Sequence, residues 1–251
     1  MTYVLTLQGV GCSFSKESGP VLSGVSLDVR AGEFVSVVGA SGSGKSTLFK
    51  LIAGLLEPDC GEIRLRGAKA GGRLGKVSYM PQKDLLLPWR TVLANCLLPL
   101  EIARSRTEPA KREITARLKD FGLAGLEHAY PDELSGGMRQ RVAFLRTIAG
   151  GQELLLLDEP FGALDAMTKR DMQRWLLGLW SELGKTVLFI THDLEEALLL
   201  SDRIYMMSGT GQGGSGVREM IVPLPRPRRY EMVYEAGFAG LRQELERRLH
   251  A

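Results

Sequence analysis

The stretch GASGSGKST, residues 39–47, follows the apolar run FVSVV at 34–38 and precedes LFKLIA at 48–53. The run before it is short and rich in β-branched residues, as a strand buried on both faces would be. The run after it has good helix formers at helical spacing. A loop therefore joins a buried strand to a helix, and that loop holds three glycines, three serines and one lysine. A Gly/Ser cluster is most often an ordinary turn. Here Gly39, Gly44, Lys45 and Ser46 complete the pattern G-x-x-x-x-G-K-[ST] in its strand–loop–helix setting, which points to a phosphate cradle. Glycine lets backbone N–H groups converge on an anion without a Cβ in the way. The helix adds free amides and a positive dipole end. Lys45 supplies charge for β- and γ-phosphates, and Ser46 offers a hydroxyl to Mg²⁺.

Working outward, the 251 residues are enough for one large domain with a subdomain, at 44% hydrophobic and 24% charged residues. A net charge of +3 gives no reason to expect a nucleic-acid partner. Cys12, Cys60 and Cys96 are far apart with no C-x-x-C pair, so buried, reduced thiols are expected rather than a disulfide framework or zinc site. The opening MTYVLTLQGV lacks the pattern of a signal peptide, and no apolar run is long enough to span a membrane. YVLTLQGV and VLSGVSLDV read as antiparallel strands joined by a turn at SKESGP, and CGEIRLRG and GKVSYMPQ as further strands. Helices are expected at about 91–103, 108–121 and 135–149. The chain then alternates ELLLLDEP, AMTKRDMQRWLLGLWSELG, KTVLFITHD, LEEALLLSD and RIYMMSG, which is strand–helix alternation and implies a parallel sheet covered on both faces. GTGQGGSG is expected to be a surface loop, and FAGLRQELERRLH a terminal amphipathic helix.

Four leucines precede Asp158 and Glu159, so a buried strand releases two acids at its carboxyl end, where such sheets bind ligands. Adjacent residues point different ways. Asp158 is then placed to hold Mg²⁺, and Glu159 to deprotonate a water. His192 leaves another apolar strand at its carboxyl end, and Gln82 ends a third. His128 and His250 have no such setting. Taken alone, LSGGM reads as a simple N-cap at Ser135 followed by a glycine turn; beside the other motifs, Gly136 and Gly137 baring the helix amides offer a second anion site. Two phosphate sites for one nucleotide make sense when two copies sandwich it.

In that order, GASGSGKST, MPQ, LSGGMRQR, LLLLDEP, GALD and THD resemble the ATP-binding cassette ATPases of transporters. The resemblance covers about residues 3–230. It implies an α/β fold: a RecA-like P-loop core with a mostly parallel sheet, an antiparallel β subdomain and an inserted helical subdomain. It implies a core with its β subdomain in 1–82 and 151–230, the helical subdomain in 83–150 and a helical tail in 231–251. By the same resemblance Phe14 stacks on adenine, and Gly39, Ala40, Ser41, Gly42, Ser43, Gly44, Lys45, Ser46 and Thr47 form the Walker A cradle. Gln82 is the Q-loop residue; Ser135, Gly136 and Gly137 are the signature; Asp165 belongs to the D-loop at the dimer seam. Ser46, Gln82 and Asp158 attend Mg²⁺, while Glu159, His192 and Lys45 carry the hydrolysis of ATP. Met138 stands where the signature usually has Gln.

The segment PQKDLLLPWRTVLANCLLPLEI and the PLPRPR run look like cassettes of importers for nitrate, sulfonates, taurine and pyrimidine precursors. The implied partners are a second copy, transmembrane permease subunits and, indirectly, an extracytoplasmic binding protein. The implied place is peripheral, on the cytoplasmic side of the inner membrane. Two alternatives are a P-loop kinase, which needs an acceptor pocket and no LSGGM, and a cassette ATPase not used in transport. The latter typically carries a long coiled-coil insertion or two cassettes per chain.

Overall fold

The computed structural model describes residues 2–14, 19–69, 71–208 and 216–250. Within them two sheets form. β1 (Tyr3–Ser13), β2 (Pro20–Arg30), β4 (Cys60–Leu65) and β5 (Ala68–Lys69) make an antiparallel sheet in the order β2-β1-β4-β5. β3 (Phe34–Gly39), β6 (Ser78–Met80), β7 (Leu154–Asp158), β8 (Thr186–Ile190), β9 (Arg203–Met207) and β10 (Val217–Ile221) make the main sheet in the order β10-β9-β3-β8-β7-β6. All neighbours in the main sheet are parallel except β9 and β10.

The continuous apolar runs explain the main sheet's position. Along β7, Leu155 and Leu157 enter one core while Leu154 and Leu156 enter another, and β3 divides Phe34 from Val35 and Val37 in the same way. Period-two alternation with both sets apolar forces a layer on each face. One face is covered by α1 (Lys45–Ala53) and the antiparallel sheet, through Phe49, Ile52, Leu5 and Val25. The other is covered by α2 (Val92–Ile102), α3 (Glu108–Asp120), α4 (Gly136–Ala149) and α5 (Ala166–Leu183), through Cys96, Leu118, Phe144 and Met172. A third core holds α6 (Leu194–Leu200) and α7 (Ala236–His250) against β9 and β10, through Leu198, Met206, Met220 and Phe238. Thr91, Thr107, Ser135, Asp165 and Asp193 each cap a helix by accepting a backbone N–H.

Two expectations change. Cys60 is exposed, because it sits at the first position of a strand whose partner there is Gly11; Cys12 and Cys96 are buried, and all three thiols are free. The strand β10 was not foreseen after a glycine-rich run. It turns back beside β9, with the Ser208 amide donating to the Gly216 carbonyl at 3.1 Å. Most of the expected GTGQGGSG loop and most of the SKESGP turn lie outside the described residues. Among the described residues no helix is long and apolar enough to cross a membrane.

Candidate functional site

β3 ends at Gly39, where a Cβ would lie 2.4 Å from the Met207 carbonyl oxygen. Gly44 has φ +90°, and a Cβ there would come within 2.6 Å of a Leu22 methyl. Only glycine closes the loop at both points. Behind the turn, the buried Ser43 donates its amide to Ala40 O at 3.2 Å. Lys45 folds back into the loop, with Nζ 2.9 Å from Gly39 O, 2.8 Å from Ala40 O and 3.4 Å from Ser43 Oγ. Burial lowers its pKa, opposed by the charges of Glu159 and Asp158. The cationic head is thus held at the mouth of a helix N-terminus with only neutral carbonyl and hydroxyl partners.

The cleft at this loop has a volume of about 500 Å³ and is lined by Phe14, Val21, Ser41, Gly42, Gly44, Lys45, Ser46, Thr47, Gln82, Glu159 and His192. Four strand ends therefore deliver side chains to one place: Ser41 and its neighbours after β3, Gln82 after β6, Glu159 after β7 and His192 after β8. Phe14 is an exposed ring beside the same opening. Glu159 has a left-handed backbone, φ +45°, rare for a residue with a side chain, and its amide donates to Ile190 O at 3.0 Å. Its Oε2 accepts from Gln82 Nε2 at 3.0 Å and lies 3.4 Å from His192 Nδ1.

Asp158 lies under this group, almost fully buried. Its Oδ1 accepts from Ser46 Oγ at 3.2 Å and its Oδ2 from Tyr79 Oη at 3.3 Å. Burial raises its pKa, the two hydrogen bonds oppose this, and the neighbouring Glu159 adds to it. The convergence of the Ser46 hydroxyl and a buried carboxylate fits Mg²⁺, which takes one or two protein oxygens and completes its shell with phosphate oxygens and water. No cluster of three or more His, Cys, Asp or Glu that would cage a metal by itself exists among the described residues.

Ser135, Gly136, Gly137 and Asp165 do not line this cleft. Ser135 Oγ accepts from Met138 N at 3.3 Å and caps α4. A Cβ on Gly137 would meet Thr168 Cγ2 at 2.7 Å, so the turn packs against the start of α5. Asp165 caps α5 through the amides of Met167 and Thr168, both at 3.1 Å. The turn at Ser135, Gly136 and Gly137 and the start of α5 at Asp165 thus sit side by side, apart from the 39–47 loop of their own chain.

Two polar linkages around the site escaped the sequence reading. Lys169 Nζ on α5 lies 2.8 Å from Asp193 Oδ2 and 2.9 Å from Glu196 Oε1. Buried Glu196 also accepts from Gln173 Nε2 at 3.0 Å and from the Thr191 hydroxyl. This network ties the helix that starts at Asp165 to the residues flanking His192. Burial opposes both charges, but the mutual bonds win: the Lys169 pKa is raised and that of Asp193 lowered. The second linkage joins the segment after Gln82 to α4. Arg146 Nη1 donates to Leu85 O at 2.8 Å and its other amino group to Asp84 O, while Arg139 Nε lies 3.4 Å from Asp84 Oδ2. The only sequence signal for either was a charged residue close to a motif.

Residues 22–162 match the family model described as ABC transporter. The chain is 47% identical over 228 residues to the formylaminopyrimidine import ATP-binding protein ThiZ of Halalkalibacterium halodurans, covering 91% of this chain and 88% of the relative. It is 42% identical to the aliphatic sulfonates import ATP-binding protein SsuB 1 of Rhodococcus jostii, with 97% and 93% covered. It is 41% identical to the nitrate import ATP-binding protein NrtD of Synechococcus elongatus, with 94% and 87% covered. Among solved structures, the dimeric structure of MJ0796, a bacterial ABC transporter cassette, superposes with a TM-score of 0.74 at 32% identity, over 88% of this chain and 100% of that one. A dimeric post-hydrolysis state of the same cassette, bound to ADP and Pi, gives a TM-score of 0.72 at 29% identity over the same shares.

Proposed function

This chain belongs to the ABC transporter family and is an ATPase of the import type, and from that premise we propose how its residues turn ATP over and what the turnover drives. The adenine lies on Phe14, and residues 39–47 wrap the phosphates, with Lys45 exchanging its loop carbonyls for phosphate oxygens. Ser46 and Asp158, with Gln82, would hold Mg²⁺, which neutralises phosphate charge when bound. Glu159 takes the proton of the attacking water, and His192 and Gln82 fix the carboxylate and the γ-phosphate relative to each other. The observation that carries this reading is the convergence of Gln82 and His192 on one oxygen of Glu159, at 3.0 and 3.4 Å, beside the loop of Lys45.

Completion of the site comes from a second copy, whose Ser135, Gly136 and Gly137 cap the γ-phosphate and whose Asp165 lies at the seam. The separation of that turn from the chain's own cradle supports this, since a turn on the same chain's surface is free to face another molecule's nucleotide. Closure on two ATPs and reopening after hydrolysis would power a pair of transmembrane permease subunits. These hold the protein on the cytoplasmic side of the inner membrane and are served by an extracytoplasmic binding protein. Their contact on this chain is the apolar groove of about 790 Å³ lined by Leu55, Tyr79, Pro81, Leu85 and Ile102 among others; Leu85, Ile102 and Leu55 are exposed. Within the LLLPWRT segment, Leu85 and Trp89 are exposed, which supports a docking role, while Leu86 is packed into the core. The solute is small and anionic or heterocyclic, as the names of the relatives indicate for those proteins.

The test is phosphate release from ATP by wild type and Glu159→Gln, with nucleotide affinity measured on both. Turnover should fall by about 10²–10⁴-fold, the range for loss of a general base, with affinity kept within a few-fold. Near wild-type turnover in the variant removes Glu159 from this role. Transfer of phosphate to a small-molecule acceptor in place of water would favour a kinase.

A further inference from the structure

The chain carries a further cleft, about 570 Å³, with arginines set among largely apolar walls, at the opposite end of the main sheet from the nucleotide cleft. Its position follows from Trp180 and Asp202. Trp180 packs edge-on against Phe34, the first residue of β3, at 5.8 Å between ring centroids, and Asp202 accepts from Phe34 N at 3.0 Å. The cleft is therefore at the amino end of β3, whereas the cradle is at its carboxyl end. Four arginines line it, Arg174 from α5 and Arg226, Arg228 and Arg229 from the segment before α7, together with Trp180 and Tyr230.

Two of these arginines have structural duties. Arg228 is buried and donates Nη1 to Leu198 O at 2.9 Å and Ser201 O at 2.5 Å, which satisfies carbonyls at the end of α6. Arg226 stacks on the Trp180 ring with Cζ 4.0 Å from its centroid and donates to Asp202 Oδ1 at 2.8 Å. These duties leave the charge unbalanced. Among the described residues the one carboxylate paired with Arg228 is the same Asp202, 3.8 Å away, and Arg228 Nε has no hydrogen-bond partner. Burial and the adjacent Arg226 pull the Arg228 pKa down to about 10.

The other two arginines have little to do within the fold. Arg174 lies over Tyr230 with Cζ 4.8 Å from the ring centroid, and forms loose, exposed ion pairs with Glu231, the carboxylate that also lines the cleft, at 3.5 Å and with Asp171 at 3.9 Å. Arg229 makes no ion pair among the described residues. A guanidinium on an aromatic face turns its N–H edge outward, and such edges match the oxygens of a phosphate or sulfate bidentately.

We propose that this arginine-lined cleft is a binding site for a phosphate- or sulfate-type oxyanion, gripped by Arg174 and Arg229 over the buried charge of Arg228 and separate from the nucleotide site. The oxyanion is either free or the headgroup of an anionic lipid.

The Trp180 indole N–H donates to Lys185 O and reports on the cleft by ¹⁵N NMR. Inorganic phosphate or sulfate, titrated at constant ionic strength against chloride, should shift that resonance saturably in the full-length protein. Arg174→Gln and Arg229→Gln, both at exposed positions that leave the α6 contacts intact, should each weaken the apparent affinity about tenfold, as loss of a charged hydrogen bond does. Pelleting with phosphatidylglycerol but not phosphatidylcholine vesicles, lost in the same variants and without a response to free phosphate, assigns the anion to a lipid headgroup. Phosphate shifts of equal affinity in wild type and both variants overturn the site. So does the absence of any saturable shift together with vesicle binding that ignores the two arginines.

Discussion

Lys45 and Glu159 divide the phosphate end of the cleft between opposite charges, and each is held in an unusual way. Lys45 is bent onto two backbone carbonyls, at 2.9 and 2.8 Å, and burial depresses its pKa. Those partners carry only partial charge, so a phosphate with full negative charge would compete well for the ammonium. Lys45→Ala should weaken ATP affinity about ten- to a hundredfold, the value of one or two charged hydrogen bonds, in an equilibrium titration with non-hydrolysed nucleotide; unchanged affinity would count against the cradle. Glu159 has its backbone in the left-handed region at φ +45°, which for a side chain with a Cβ costs about 1–2 kcal/mol. The surrounding sheet absorbs that strain through the amide's bond to Ile190 O, and the carboxylate is thereby set toward Gln82 and His192. Both residues were legible in the sequence because their chemistry is local: a glycine pattern around one lysine, and two acids after four leucines. The strain at Glu159 was not legible, since nothing in Asp-Glu-Pro distinguishes a left-handed glutamate from an extended one.

At the scale of the elements, α5 and the β8–α6 turn are joined by Lys169, Asp193 and Glu196. Lys169→Met leaves the buried Glu196 without its cation and should cost about 3 kcal/mol, as for breaking a buried pair from one side, measured by urea unfolding. Lys169→Arg should restore most of it. The pH dependence follows from the two shifts. The Asp193 pKa is lowered from 3.8, so its contribution is present above that value and lost as pH falls through the depressed one. The Lys169 pKa is raised from 10.5, so its contribution is present below that value and lost as pH rises through the elevated one. The gap between wild type and Lys169→Met should therefore be widest between pH 3.8 and 10.5 and close on either side. A constant gap from pH 2 to 8 would show that the pair is not its source. The elements themselves were largely readable, because buried parallel strands are unbroken apolar runs and helix caps are short local signals. The cross-links were not: Lys169 and Asp193 are 24 residues apart, and Arg146 and Leu85 are 61 apart, so only the tertiary fold brings them together. β10 was hidden for another reason, since only Met220 in it is buried and its composition carries little β signal.

For the whole molecule, the proposal requires two copies to share each nucleotide. Ser135 offers a clean test because it caps α4 in its own chain and, under the proposal, has the separable duty of facing a phosphate in the other. Aspartate caps a helix as well as serine, so Ser135→Asp should leave the melting temperature of the monomer nearly unchanged. Its charge would nonetheless repel the γ-phosphate. In a Glu159→Gln background with ATP and Mg²⁺, sedimentation should show dimers, and adding Ser135→Asp should return the protein to monomers. Dimers that persist with equal affinity would place that turn away from the nucleotide. The main sheet also decides how copies are able to meet. At one margin β6 is only three residues long, and at the other β10 presents Arg218, Glu219 and Ile221 outward with its direction reversed. A stub and a charged, turned-back ribbon are both poor templates for a neighbour's backbone. Along this sheet, colliding copies are thereby denied the indiscriminate zippering that exposed parallel strands invite.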